Sequence, residues 1–134
     1  MRKWVVALSL MLLAACQWNN RWLSGQLHVP MDAQVPADAR VTVNLETFDG
    51  PDSPIHVVAS TTSDASTWPH HFRIALPKHL GQGHRQYIVV AQITSKKGLL
   101  LFVNQALTGV DLGRLDQPLD VMMVPVTPAE RANQ

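Results

Sequence analysis

Histidine, serine and acidic side chains are the groups in this sequence whose chemistry could support catalysis or metal binding. The six histidines include one adjacent pair, His70 and His71, whose side chains would point to opposite faces of a strand. The other histidines lie singly, without a cysteine or carboxylate at ligand spacing. Most serines lie in predicted loops, and none lies in a GxSxG turn. Carboxylates such as Asp49 and Asp52 lie beside glycine or proline, as in turns. The sequence therefore predicts no enzyme, no metal site and no cofactor.

Cys16 is the single cysteine of the chain, and it follows the only long apolar run. That run covers residues 4–13, is broken only by Ser9, and is preceded by Arg2 and Lys3. It is far shorter than the roughly 20 apolar residues that a spanning helix needs. A positive start followed by a short apolar run is typical of a secretory signal peptide, which we predict over residues 1–15.

The residues around Cys16 resemble the bacterial lipobox, with Leu13 at position −3 and the small Ala14 and Ala15 before the cysteine. The resemblance implies that the Cys16 sulfur receives a diacylglycerol, that cleavage precedes it, and that the new amino terminus is acylated, as by palmitate. The alternative is an ordinary signal peptide cut near Ala15. By resemblance to enterobacterial sorting rules, aspartate at the position of Gln17 would retain the lipoprotein in the inner membrane. Its absence implies that the protein is anchored in the outer membrane, on the periplasmic face.

The mature chain has the length of one domain. We expect a lipidated tether over residues 16–22, a β domain over residues 23–126 and a loose tail over residues 127–134. With 11 basic and 10 acidic residues the chain has no strong charge, which excludes nucleic acid as a partner, and we expect a monomer. Trp18 could lie at the membrane–water boundary, where tryptophan is favoured. Trp22 is predicted instead to begin the first strand and pack on the core.

Segments in which apolar and polar residues alternate predict an all-β domain. The clearest contains Val41, Val43 and Leu45, and the polar clusters at residues 50–54 and 95–98 predict a turn and a hairpin loop. No stretch has the spacing of an amphipathic helix. We predict a small β-sandwich or open barrel of about seven strands. The predicted strands lie within residues 22–30, 39–48, 55–61, 71–76, 86–94, 99–105 and 119–126.

Several of these segments resemble the YscW-like lipoprotein family. The stretches LSGQLHVP and VPADARVTVNLETFD resemble its opening, and WPHHFRIALP resembles one of its strands. The stretch RQYIVVAQITSKKGLLLFVNQALTGV resembles its most recognisable part, an apolar hairpin. The resemblance covers residues 23–110, departs at the more polar His71-Phe72-Arg73, and finds no clear counterpart after Leu112.

The resemblance implies a β-sandwich without enzymatic activity and one of two roles. Type III secretion pilotins are outer-membrane lipoproteins that bind the C-terminal segment of a secretin subunit and promote its targeting and assembly. YbaY-type lipoproteins have no known role. The compact size and short tether favour the pilotin. A binder of a small hydrophobic ligand is a further alternative, and it would require an internal cavity.

A pilotin of this build could hold a short partner helix or strand in an apolar groove. We predict groove residues among the large apolar side chains, including methionines that adapt to irregular partners. For Leu100, Phe102 and one of the methionines, a place in the core is the alternative. The candidate partner-binding residues are Trp68, Leu100, Phe102, Met122 and Met123.

Overall fold

The computed structural model of the chain describes residues 21–65, 67–81 and 86–127. The predicted signal peptide, Cys16, the tether before Arg21 and the tail beyond Thr127 lie outside these residues. In the described part of the chain, no helix is long and apolar enough to cross a bilayer.

The described residues form an all-β structure, which confirms the predicted fold class. Each of the seven predicted strands is present, and a short additional strand follows the sixth. The strands are β1 (Arg21–His28), β2 (Arg40–Phe48), β3 (His56–Asp64), β4 (His70–Leu76), β5 (Gln86–Thr94), β6 (Leu100–Asn104), β7 (Thr108–Gly109) and β8 (Leu119–Pro125).

The strands form one sheet in the order β3-β2-β5-β6-β8-β1-β4, with β7 also paired to β5. Strand β8 connects the two parts of this sheet. Its first half, from Leu119 to Met122, is parallel to β1, and its second half, from Met123 to Pro125, is antiparallel to β6. All other pairings in the sheet are antiparallel.

The two outermost strands, β3 and β4, come close to one another, so the sheet is a nearly closed barrel. Among the described residues no backbone ladder joins β3 to β4. A hydrogen bond of 2.9 Å between Ser63 Oγ and His70 Nε2 connects them instead. Of the two predicted architectures, the structure is therefore the open barrel.

The inward side chains of β1, β2, β4, β5 and β8 fill most of the barrel, because alternate strand residues point to opposite faces. Val41, Val43 and Leu45 of β2 are buried as their alternation predicts. The largest side chains that are less than 2% exposed are Leu27, Leu45, Ile74, Ile93, Met123, Val41, Val43, Val89 and Val121. In the described part of the chain, the middle of the barrel is thus packed with side chains.

Trp22 is the second residue of β1, but its side chain does not pack on the core. Leu23 and Leu27 point inward, so Trp22 lies on the outer face, where it is 38% exposed. The Arg73 guanidinium carbon lies 4.2 Å from the centre of its ring. The prediction that Trp22 packs on the core is wrong.

Both turn predictions agree with the backbone hydrogen bonds. The Gly98 N–H donates to the Ser95 carbonyl over 2.9 Å, and Gly98 has a φ of 87°, which favours glycine. The Ser53 N–H donates to the Gly50 carbonyl over 3.1 Å. These loops set the register in which β5 pairs with β6 and the register in which β2 pairs with β3.

Candidate partner-binding groove

One end of the barrel is covered by the segment that follows β1. Pro30 and Pro36 have no backbone N–H, so this segment cannot extend the ladder of β1. It forms two turns instead. The Ala33 N–H donates to the Pro30 carbonyl over 2.9 Å, and the Ala39 N–H donates to the Pro36 carbonyl over 3.0 Å.

An apolar groove of about 380 Å³ lies between this segment and the loop that precedes β4. We call it the Trp68 groove. Trp68, Val29 and Val35 are half-buried, whereas Met31 is fully exposed, at 106% of its reference area. The lining residues are His28, Val29, Pro30, Met31, Ala33, Val35, Trp68 and Pro69.

Trp68 contacts both the core cluster and the ring of His70. It packs against the core cluster while lining the groove, and its ring centroid lies 5.7 Å from that of His70. Burial lowers the pKa of His70 below its ordinary value of 6.5, and the charge of neighbouring His71 lowers it further. At neutral pH, the Trp68 ring that lines the groove therefore packs against the uncharged imidazole of His70.

The structure places two of the five predicted partner-binding residues at this end of the barrel. Trp68 lines the groove, and Met122 is 51% exposed on the outer face of β8. The Met122 Cα pairs in the sheet with that of His28, a lining residue. His28 Nε2 donates to Asp120 Oδ1 over 3.0 Å, which holds the imidazole at the rim.

The other three predicted residues do not line the groove. Phe102 is 5% exposed and Met123 is 1% exposed, so both belong to the core cluster. Leu100 is half-buried at the start of β6. For Phe102 and Met123 the structure thus shows the core placement that the sequence left as the alternative.

Sequence reasoning missed the segment between Val29 and Val35. In its sequence, VPMDAQVP, apolar residues alternate with Pro30, Asp32, Gln34 and Pro36, but the two prolines indicated a loop rather than a strand. The available signal was Met31, a large apolar side chain in a proline-flanked loop that has no strand to bury it.

A second concavity, of about 690 Å³, lies at the opposite end of β1. It adjoins Gly81, and a Cβ built on Gly81 would lie 3.9 Å from Arg21 Nη1, so this end contains the start of β1. Its other lining residues are Gln86, Tyr87, Ile88, Gly109, Val110, Asp111, Leu112 and Gly113. It is larger, but three glycines and a carboxylate line it, whereas the Trp68 groove offers an aromatic ring and the exposed thioether side chain of Met31.

Ionisable side chains do not form a metal site in the described segments. No group of three or more histidine, cysteine, aspartate or glutamate side chains is placed to hold an ion there. Every buried polar side chain atom in those segments has a hydrogen-bond partner. The chemistry that this end of the barrel offers is apolar contact with an aromatic anchor.

The described residues thus form a packed open barrel with an accessible apolar groove at one end. A family model described as the type III secretion system lipoprotein chaperone YscW matches residues 19–123. The chain belongs to this family, which confirms the resemblance. The match also extends beyond Leu112, where the sequence had shown no counterpart.

One solved structure supports the fold independently. It is described as an alternative pilotin from the type II secretion system of Vibrio cholerae. It matches with a TM-score of 0.71 and 22% sequence identity, over 81% of this chain and 98% of that one. No curated protein sequence gives a significant match.

Proposed function

We propose that this chain is a pilotin of a type III secretion system. It is anchored in the outer membrane through a lipidated Cys16 and faces the periplasm. It binds the C-terminal segment of a secretin subunit and promotes the targeting of that subunit to the outer membrane and its assembly there. The observation that carries this proposal is membership of the YscW lipoprotein chaperone family over residues 19–123.

The Trp68 groove is the proposed binding site for the secretin segment. An amphipathic segment can bury its apolar side chains in such a groove while its polar side stays in water. Tryptophan is among the residues that most often dominate the binding energy of interfaces, and the flexible side chain of Met31 can adapt to the partner surface. Met122 extends the apolar surface beyond the His28 rim.

The packed barrel interior favours this proposal over a binder of small hydrophobic ligands. Such a binder needs a cavity that encloses most of its ligand. In the described residues, side chains such as Leu45, Ile74 and Ile93 fill the middle of the barrel instead. The Trp68 groove, in contrast, is open at the end of the barrel and suits a segment of another protein.

The direct test is a calorimetric titration of the folded domain, with Cys16 replaced by serine, against the C-terminal peptide of the secretin. Met31→Ser should weaken binding about tenfold, which corresponds to about 1.4 kcal/mol. Its thermal stability should be unchanged, because Met31 is fully exposed. Ile55→Ser is the matched control: Ile55 is 60% exposed between β2 and β3, at the opposite end of the barrel, and its replacement should leave the affinity unchanged.

Two further variants distinguish a residue that lines the groove from a residue of the core. Trp68→Phe should weaken peptide binding, whereas Phe102→Ala should lower the free energy of unfolding by about 3–5 kcal/mol, because Phe102 is buried. A folded domain that fails to bind the peptide at high micromolar concentration would instead favour a YbaY-type lipoprotein. Tighter binding of a type II than of a type III secretin peptide would overturn the assignment to type III secretion.

A further inference from the structure

An aromatic and basic surface lies where the chain enters the barrel. Trp22 projects from the outer face of β1 beneath the Arg73 guanidinium, and its Cα pairs with that of Ala75, which is exposed. The turn after β4 adds the exposed side chains of Lys78 and His79. We call this surface, made of Trp22, Arg73, Ala75, Lys78 and His79, the basic face.

Arg21 fixes the turn beside the first residues of β1. Its Nη2 donates to the Leu80 carbonyl over 2.7 Å, and its Cα pairs with that of Leu76. Lys78 and His79 therefore lie at the same end of the barrel as Trp22. The members of the basic face come from separate segments, and β-sheet pairing and this hydrogen bond bring them together.

The segments that form the basic face contain no carboxylate. The sequence has no aspartate or glutamate before Asp32, and none between Asp64 and Asp111. At the same end of the barrel, Asp49 and Asp52 lie on the loop between β2 and β3. Asp111 and Asp116 lie on the loop between β7 and β8, where Asp111 is 3.7 Å from the Arg114 guanidinium. The acidic groups of this end thus belong to other elements than β1, β4 and the turn.

The distance from the anchor to this surface is short. Five residue steps separate Cys16 from Arg21, and an extended chain covers at most about 3.5 Å per step, or about 18 Å. A lipid on Cys16 therefore keeps the start of β1 close to the membrane surface. The basic face begins one residue further on, at Trp22.

We propose that the basic face lies against the anionic phospholipid headgroups of the membrane that holds the anchor. This inference rests on the lipidated Cys16 of the proposed function. Tryptophan is favoured at the membrane–water boundary, and the negative surface potential of anionic lipids attracts arginine and lysine. The guanidinium over the Trp22 ring keeps aromatic and basic contacts side by side.

This orientation leaves the Trp68 groove open to a partner. The groove adjoins His28, six residues along β1 from Trp22. At about 3.3 Å per strand residue, the two lie about 20 Å apart. The basic face holds the domain at the membrane while the groove faces the space beyond it.

The test uses the mature lipoprotein in vesicles of phosphatidylethanolamine and phosphatidylglycerol. Because Cys16 is acylated, an introduced cysteine is the only free thiol, and a nitroxide is attached to it. Ala75→Cys reports the basic face, and Thr62→Cys on the exposed face of β3 is the matched control. Relaxation by lipid-soluble oxygen and by a water-soluble nickel complex measures the position of each label.

At residue 75, the ratio of oxygen to nickel relaxation should be several-fold higher than at residue 62. Adding Arg73→Glu and Lys78→Glu, or using phosphatidylcholine vesicles, should remove most of that difference. Equal ratios at the two positions would overturn the proposed orientation. Intact mass and binding of the secretin peptide are measured on the same preparation, so a failed orientation is distinguishable from a failed pilotin assignment.

Discussion

His70 is the residue that joins the two edges of the barrel. It is 7% exposed, and its Nε2 lies 2.9 Å from Ser63 Oγ on the opposite edge strand. Burial lowers its pKa below 6.5, with the charge of His71 as the smaller cause. The folded protein therefore favours the neutral imidazole more strongly than the unfolded chain does.

This preference predicts a loss of stability in mild acid. Between the lowered folded pKa of His70 and the unfolded value of 6.5, the unfolded chain binds more protons. The free energy of unfolding should therefore fall as the pH decreases from above 6.5 toward the folded pKa. Urea denaturation at several pH values between about 5 and 8 measures this dependence.

Two variants assign the effect to His70. His70→Gln should remove a large part of the pH dependence in that window. His71→Gln should retain most of it, since the charge of His71 is only the smaller cause of the shift. An unchanged pH dependence in the His70 variant would contradict the assignment.

Trp22 shows why the orientation of one side chain was predicted incorrectly from the sequence. The spacing of Leu23 and Leu27 puts both on one face of β1, so Trp22 had to lie on the other face. The preference of tryptophan for burial suggested the core instead. The alternation along the strand decided the outcome, because β1 is paired on both sides and cannot rotate.

At the scale of the strands, Gly25 allows β1 to fit between β4 and β8. A Cβ at this position would lie 2.5 Å from the Leu119 carbonyl oxygen and 2.7 Å from Phe72 Cζ. Gly25→Ala should therefore destabilise the fold by about 1–3 kcal/mol through overpacking. Gly109→Ala is the control, because a Cβ there meets no atom within 4 Å. Thermal denaturation of both variants checks the prediction, and equal losses of stability would contradict it.

The two faces of the central sheet give a second matched pair. Val43 is 0% exposed and points inward, whereas Val90 pairs with Asn44 on the outer face and is only half-buried. Val43→Asp should unfold the domain, because burying an unpaired charge costs several kcal/mol, comparable to the stability of a small domain. Val90→Asp should leave it folded. Far-ultraviolet circular dichroism distinguishes the two results, and an unfolded Val90 variant would refute the assignment of faces.

The positions of the strands could be predicted from the sequence, but their order in the sheet could not. Alternation in β2 and β4 is a local signal, whereas the pairing of β8 with both β1 and β6 depends on contacts between distant residues. The two-residue β7 is too short to show any period. The groove was only partly predicted for the same reason, since its walls come from two loops that meet in the fold.

At the scale of the whole molecule, anchoring and partner binding should be separable. Cys16→Ser should prevent lipidation but leave peptide binding intact, because the Trp68 groove is made by the folded barrel. The secretin should then fail to reach the outer membrane, since the protein that carries it is no longer anchored there. Mass spectrometry of the amino terminus, titration with the peptide, and fractionation of the membranes test the three parts of this prediction. Loss of peptide binding in this variant, with binding retained by the lipidated protein, would show that the lipid itself forms part of the site.

The position of β8 in the chain has a consequence for export. If the predicted signal peptide directs export of the unfolded chain, its first strands emerge before its last. Among the described residues, backbone pairing joins β1 and β4 to the remainder of the sheet through β8 alone, and the contact between His28 and Asp120 spans 92 positions. Because the sheet needs both its first and its last long strand, an exported chain cannot complete it before β8 has crossed. The strand order thus delays closure of the barrel until the end of translocation.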